Sequence, residues 1–191
     1  MESIIKDQLL TFLLKHNLIT RQQHSFLARN STVTNILECL NDWSLTIKNS
    51  HSVDIAYIDY RKAFDSVSHV KLITKLSGYG LSVRLLNWIW AYLSDRSQVV
   101  CVDGRLSNSG KLVNGVPQGS VFGPVLFLLF INDVIDIFSP GVTARLFADD
   151  LKLYVEIVTD VDHFLLQNNL IKLEEWSRLW QLNISVKNVI F

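Results

Sequence analysis

Cysteine is scarce: Cys39 and Cys101 are the only two in 191 residues, and neither has a His or Cys beside it at metal-ligand spacing. A zinc site is therefore not expected, and both thiols read as small buried apolar side chains in a reducing compartment. Charge of one sign is absent as well. Eighteen Lys and Arg balance eighteen Asp and Glu, so the overall charge advertises no nucleic-acid, membrane or acidic partner, and any such partner must be met by local patches. Long apolar runs are missing. The longest, Val121 to Ile131, contains Gly123 and Pro124 and falls short of the roughly 20 residues that cross a bilayer. No repeat, low-complexity tract or linker divides the chain, so a single domain is expected.

What is present is the composition of a folded domain, 49% hydrophobic and 10% aromatic, able at this length to bury about 70% of its unfolded surface without staples. The opening MESIIKDQLLTFLLKHN carries Glu2, Lys6, Asp7 and Lys15 among its apolar positions, which predicts an amphipathic helix and not a secretory signal. An intracellular protein of the nucleus or cytoplasm is expected. Ser31 offers an N-cap for a second helix whose core face reads as Ile36, Leu37, Leu40, Trp43 and Leu45. VDIAYIDY then changes the period to that of a buried strand with Asp59 at its far end. VKLITKLSGYG and SVRLLNWIWAYLSD read as helices, the first stopped by Gly78 and Gly80 and the second capped by Ser82. QVVCV and KLV flank Asp103-Gly104 and Asn108 to Gly110 as an irregular hairpin. An apolar, buried helix is expected from near Gly119, then two strands with Asp149-Asp150 at their bend. A helix from about 160 to 180 and a strand from about 182 to 191 close the chain. Helices mixed with mainly antiparallel strands make the class α+β.

Three carboxylates stand at the ends of predicted buried strands: Asp59, Asp149 and Asp150. Burying an unpaired carboxylate is costly, and adjacent Asp149 and Asp150 repel unless something positive lies near them. A hard divalent cation with oxygen ligands solves that problem. Taken singly, each also reads as a turn-former. Gly115 to Ser120 forms a loop opening the apolar helix, with Gln118 near its start: a phosphate or base-edge signal, or a Pro-Gly turn capped by Ser120.

Together, YIDYRKAFDSV, NGVPQGSVFGPVLFLLFINDV and FADDLKLY, in that order, resemble the reverse transcriptases of non-LTR retrotransposons, LINE-like elements of the jockey and related groups. LITRQQHSFLARNSTVTNILE is similar to that family's QHGF-x-x-x-x-ST segment, and WQLNIS to its next palm motif. The resemblance implies a right-hand polymerase palm with partial fingers: residues 1–50 as fingers-side helices, 51–191 as palm, without thumb, endonuclease or RNase H. It implies two metal ions, Mg²⁺ or Mn²⁺, held by Asp59, Asp149 and Asp150. An RNA template with a DNA primer and deoxynucleoside triphosphates would be the partners. It also places the Tyr60 carbonyl near the metals, the Lys62 and Ala63 amides at the triphosphate, and Phe64 under the sugar as a steric gate. Gln118 and Gly119 would lie against the incoming nucleotide and template base. Asp65 reads as a helix cap, and Lys187 as a basic residue assisting pyrophosphate departure.

The chain departs from the pattern at Ser25, where Gly is usual, at Leu27 and Asn30, where Arg is common, and at Phe122, where Leu is usual and a larger ring needs a compensating neighbour. A catalytically silent remnant with at most weak RNA binding therefore stands as the alternative function. A carboxylate-dependent nuclease built on the same aspartates is a third.

Overall fold

The structure, a computed structural model, describes residues 1–185. Helix α1 (Glu2–Lys15) buries Leu9 and Leu13, while Ile4 and Leu14 face outward. Helix α2 (Thr32–Lys48) opens on the expected cap, because Ser31 Oγ accepts from Thr34 N at 3.1 Å and Thr34 Oγ1 accepts from Ser31 N at 2.9 Å. Strand β1 (Ser52–Ile58) follows, then the short α3 (Ala63–Ser66), α4 (His69–Gly78) and α5 (Val83–Leu93).

The predicted irregular hairpin is an arm of four two-residue strands: β2 (Ser97–Gln98) pairs with β5 (Gly110–Lys111), and β3 (Cys101–Val102) with β4 (Arg105–Leu106). Asp103 and Gly104 close its tip with φ of 49° and 76°, the left-handed pair that a tight hairpin turn requires. Cys101 lies on this arm and is exposed, so only Cys39 is the buried thiol expected.

Helix α6 (Gly123–Ile131) begins later than Gly119, with Pro124 in its first turn, where a missing N–H costs nothing. It continues as a 3₁₀ turn over Asn132–Ile137. Eight of its nine residues are buried, as its all-round apolar sequence requires. Phe122, just before it, finds its compensating neighbours in Trp88 and Tyr92, whose rings meet it edge-on at 5.6 and 5.8 Å. Strands β6 (Thr143–Phe147) and β7 (Asp150–Ile157) form the predicted hairpin, and α7 (Asp162–Trp180) packs back across β7. The sheet order is β1-β7-β6, antiparallel throughout. Of the expected last strand, Ile184 forms one antiparallel bridge to Tyr60, and residues 186–191, with Lys187, lie outside the described residues. Among the described residues no helix is long and apolar enough to cross a membrane.

The expected core face of α2 is its outer face. Ile36, Leu37, Leu40 and Leu45 are 47–58% exposed, whereas Asn35 and Cys39 are buried. Of the expected set only Trp43 turns partly inward, edge-on to Tyr154. The helix is rotated because the sheet surface beneath it is polar. Lys152 Nζ donates to Asn35 Oδ1 at 2.9 Å, Asn35 Nδ2 donates to Leu146 O at 3.2 Å, and Arg145 Nη2 donates to Asp42 Oδ2 at 3.0 Å. The Tyr154 hydroxyl donates to the same Asp42 oxygen. Unpaired, these groups would cost more than leaving aliphatic side chains wet. Asp42→Ala, which strips the acceptor from both Arg145 and Tyr154, is expected to lower stability by about 1–3 kcal/mol in urea denaturation. A loss under about 0.5 kcal/mol, the ordinary surface value, would show that this network does not orient the helix.

Candidate active site

The β1–β7 ladder ends at the pair Ile58↔Leu151, and the β6–β7 ladder at Phe147↔Asp150. Asp59 follows Ile58 and Asp150 precedes Leu151 at that ladder's end, and Asp149 occupies the two-residue turn between β6 and β7. One end of one sheet thus collects the three carboxylates singled out by sequence. Burial pushes the Asp149 carboxyl above the usual carboxylate range, and the neighbouring charges of Asp150 and Asp59 push it further; its own backbone N–H pulls the other way. Among the described residues no three His, Cys, Asp or Glu side chains already surround a common point at metal-holding spacing. The aspartates meet through their fields, not as a closed cage.

The segment after β1 is pinned by the backbone of residues 183–185. Arg61 N donates to Asn183 O and Ser185 N to Asp59 O, both at 2.8 Å, so Tyr60 and Ile184 face each other between those two bonds. The Tyr60 ring is buried. Lys62 adopts a left-handed conformation (φ 49°) and opens α3, with Ala63 buried behind it. Phe64 stacks on Phe127 at 4.3 Å and 18°, and Phe26 meets it edge-on at 6.4 Å.

The 114–119 loop is laced to the same turn. Gly115 N donates to Val67 O at 2.8 Å, Val116 N to Phe64 O at 2.9 Å, and His69 Nε2 pairs with Gly115 O at 2.8 Å. Only glycine fits at 115: φ is +92°, and a Cβ would stand 3.0 Å from the Asp65 backbone. Gln118 Nε2 donates to Asp65 Oδ1 at 2.8 Å. Asp65 therefore holds Gln118 and caps neither α3, whose N-cap is Lys62, nor α4, whose N-cap is Ser68. A residue thought to be local is long-range, which spacing along the chain cannot reveal. The N-cap of α6 is Phe122 and not Ser120, whose Oγ nevertheless accepts from Gly123 N, the first helical residue, at 2.9 Å. The Glu2 carboxylate accepts from Val121 N and Phe122 N at 3.0 and 3.1 Å, so the anion at this helix entrance is the chain's own.

The sequence profile of the family described as "Reverse transcriptase (RNA-dependent DNA polymerase)" matches residues 1–189. The chain belongs to the reverse transcriptase family. The RNA-directed DNA polymerase from mobile element jockey of Drosophila melanogaster is 28% identical over all of this chain and 22% of its own length. The Pol polyprotein of a type-1 R2 retrotransposable element from Popillia japonica is 28% identical over 70% of this chain and 24% of its own. This chain thus spans about a fifth of the length of such relatives. The kinship with jockey-type reverse transcriptases is the one its motifs implied, and the comparison adds the R2 elements. Apo telomerase of Candida tropicalis superposes with a TM-score of 0.71 at 12% identity, over 100% of this chain and 36% of that one. The same telomerase in complex with a TWJ fragment of telomeric RNA gives 0.70 at 11%, over 99% of this chain and 32% of that one. The reverse transcriptase palm fold is therefore shared at identities where sequence alone is silent.

Proposed function

We propose that this chain carries the nucleotidyl-transfer site of an RNA-directed DNA polymerase, with Asp59, Asp149 and Asp150 holding two divalent cations, Mg²⁺ or Mn²⁺. The observation that carries the reading is the gathering of these carboxylates at one sheet end, close enough for Asp150 and Asp59 to perturb Asp149. The donor set fits: hard cations take carboxylate oxygens, and positive charge there removes the repulsion. Such ions, when bound, lower the pKa of a primer 3′-hydroxyl and neutralise the departing pyrophosphate.

The chain's own residues would do the rest. The Tyr60 carbonyl adjoins Asp59, and the Lys62 and Ala63 amides face the triphosphate. Gln118, braced by Asp65, and Gly119 lie against the incoming deoxynucleotide and the template base. The packing of Phe64 on Phe127 makes it stiff enough to serve as a gate against a 2′-hydroxyl. Residues 1–50 would form the fingers side and 51–191 the palm, working on an RNA template with a DNA primer.

Primer extension on RNA with deoxynucleotides and Mg²⁺ or Mn²⁺ tests the reading. No extension favours the second one, a silent domain that keeps the fold. Phe64→Val is expected to raise ribonucleotide use relative to deoxynucleotide by about 10- to 100-fold, the scale on which pocket shape discriminates. The ratio is the readout, because loss of stacking on Phe127 lowers both rates alike. An unchanged ratio removes Phe64 from the gate.

A further inference from the structure

We infer that Gln23 is the positioning residue of the Asp149–Asp150 turn, a role that rests on reading those aspartates as metal ligands. Ala148, immediately before Asp149, sits at φ +55°, a left-handed backbone that a residue with a Cβ adopts only when its surroundings impose it. Gln23 supplies the constraint. Its Oε1 accepts from Ala148 N at 3.1 Å and its Nε2 donates to Ala148 O at 3.5 Å, so one side-chain amide grips both polar groups of the strained residue.

The amide is itself held rigid. Gln23 is 1% exposed, and its Oε1 also accepts from Ser25 N at 3.0 Å and Ser25 Oγ at 2.8 Å. Its backbone runs parallel beside the edge of β6, with Leu146 N donating to Gln22 O at 2.9 Å and His24 N to Leu146 O at 3.0 Å. The hydroxyl that Ser25 brings in place of the family's usual glycine thus has a use: it is one more donor fastening the Gln23 amide. Only a neutral amide can give and accept here. Glutamate would lose the donor and add charge beside Asp149, and methionine would lose both bonds.

The test is Mn²⁺ binding to the whole chain, followed by the electron paramagnetic signal of the free ion, together with deuterium exchange of the Ala148 amide. The wild type is compared with Gln23→Met, Gln23→Glu and Asp149→Asn. Leu166→Val, at a buried position of α7, serves as a general destabilisation control. Gln23→Met is expected to weaken Mn²⁺ binding by about tenfold or more, as loss of a ligand-orienting partner does, and to speed Ala148 exchange by a similar factor. Leu166→Val should change neither. Gln23→Glu keeps the acceptor for Ala148 N–H and is expected to keep that amide protected, which supplies the answer if the methionine variant does not fold. Wild-type Mn²⁺ affinity or wild-type Ala148 exchange in Gln23→Met overturns the inference, and where that variant does not fold, an Ala148 amide that loses its protection in Gln23→Glu, which keeps the acceptor, overturns it. Mn²⁺ binding indifferent to Asp149→Asn overturns the reading of the aspartates, and the inference falls with it.

Discussion

Asp149→Asn is expected to abolish RNA-templated primer extension and to remove divalent-cation binding, while leaving the fold intact. Asn has the shape of Asp and keeps one carbonyl oxygen, but it carries no charge to hold a hard cation. A catalytic metal contributes several kcal/mol of charge stabilisation, and at 1.36 kcal/mol per factor of ten its loss corresponds to a fall of about 10³-fold or more. Stability should move in the opposite direction. Burial, and after it the like charges of Asp150 and Asp59, push the Asp149 carboxyl above the usual range, so a neutral side chain relieves both costs and the melting temperature without metal should hold or rise. Metal reverses the order. A cation that binds only the folded wild type adds RT ln(1 + [L]/Kd), about 2.7 kcal/mol at a hundredfold excess over Kd, and adds nothing to the variant. Calorimetry with equal Mn²⁺ affinity for both proteins would sink the site.

Asp133→Ala is expected to destabilise the chain by about 3–5 kcal/mol, the cost of stranding a buried charge. The charge is Lys75, which is 9% exposed. Its ammonium donates to Phe130 O at 2.6 Å and pairs with Asp133. It also lies 5.0, 4.6 and 3.9 Å from the ring centroids of Phe130, Trp176 and Trp180, and so ties α4 to α6 and α7. Replacing it instead by methionine keeps the aliphatic stem and removes the charge, and should cost far less.

Burial lowers the Lys75 pKa to about 8, against the pull of Asp133. Between about 8 and its unfolded value of 10.5 the unfolded chain therefore binds more protons than the folded one, so this group makes stability rise with pH from about 8 upward. The slope is at most about 1.4 kcal/mol per pH unit. Cys39 and the buried tyrosines, whose pKa values are raised by burial, act in the opposite sense above their unfolded values. The comparison that isolates Lys75 is wild type against Lys75→Met in urea at pH 7, 8 and 9. The wild type should gain on the variant from 8 to 9, and parallel curves would refute the assignment.

Much of the fold could be read directly along the chain. Helix starts at Ser31 and Ser82 and the strand running up to Asp59 stand where period and capping chemistry place them, and the bend at Asp149 and the wholly apolar α6 fall within a few residues of their expected places, because each depends on neighbours within a turn or two. The errors share a cause. The apolar stripe Ile36, Leu37, Leu40 and Leu45 was expected inward and lies outward, since the polar groups of Arg145, Lys152 and Tyr154 claim the opposite face of α2. Asp65 was expected to cap a helix and instead braces Gln118, 53 residues away. Gln23 lies in the segment similar to QHGF-x-x-x-x-ST, but nothing there points to its partner Ala148, 125 residues distant.

By itself, then, the amino-acid sequence determined the α+β class, the order of elements, the family and the identity of the three carboxylates, since motif residues and hydrophobic period are written in consecutive positions. Only the tertiary structure decided which face of α2 meets the sheet, what holds the strained Ala148 and what steadies Gln118. Those choices come from the need to satisfy buried polar groups on segments far apart in the chain, and no local pattern records which distant partner will satisfy them.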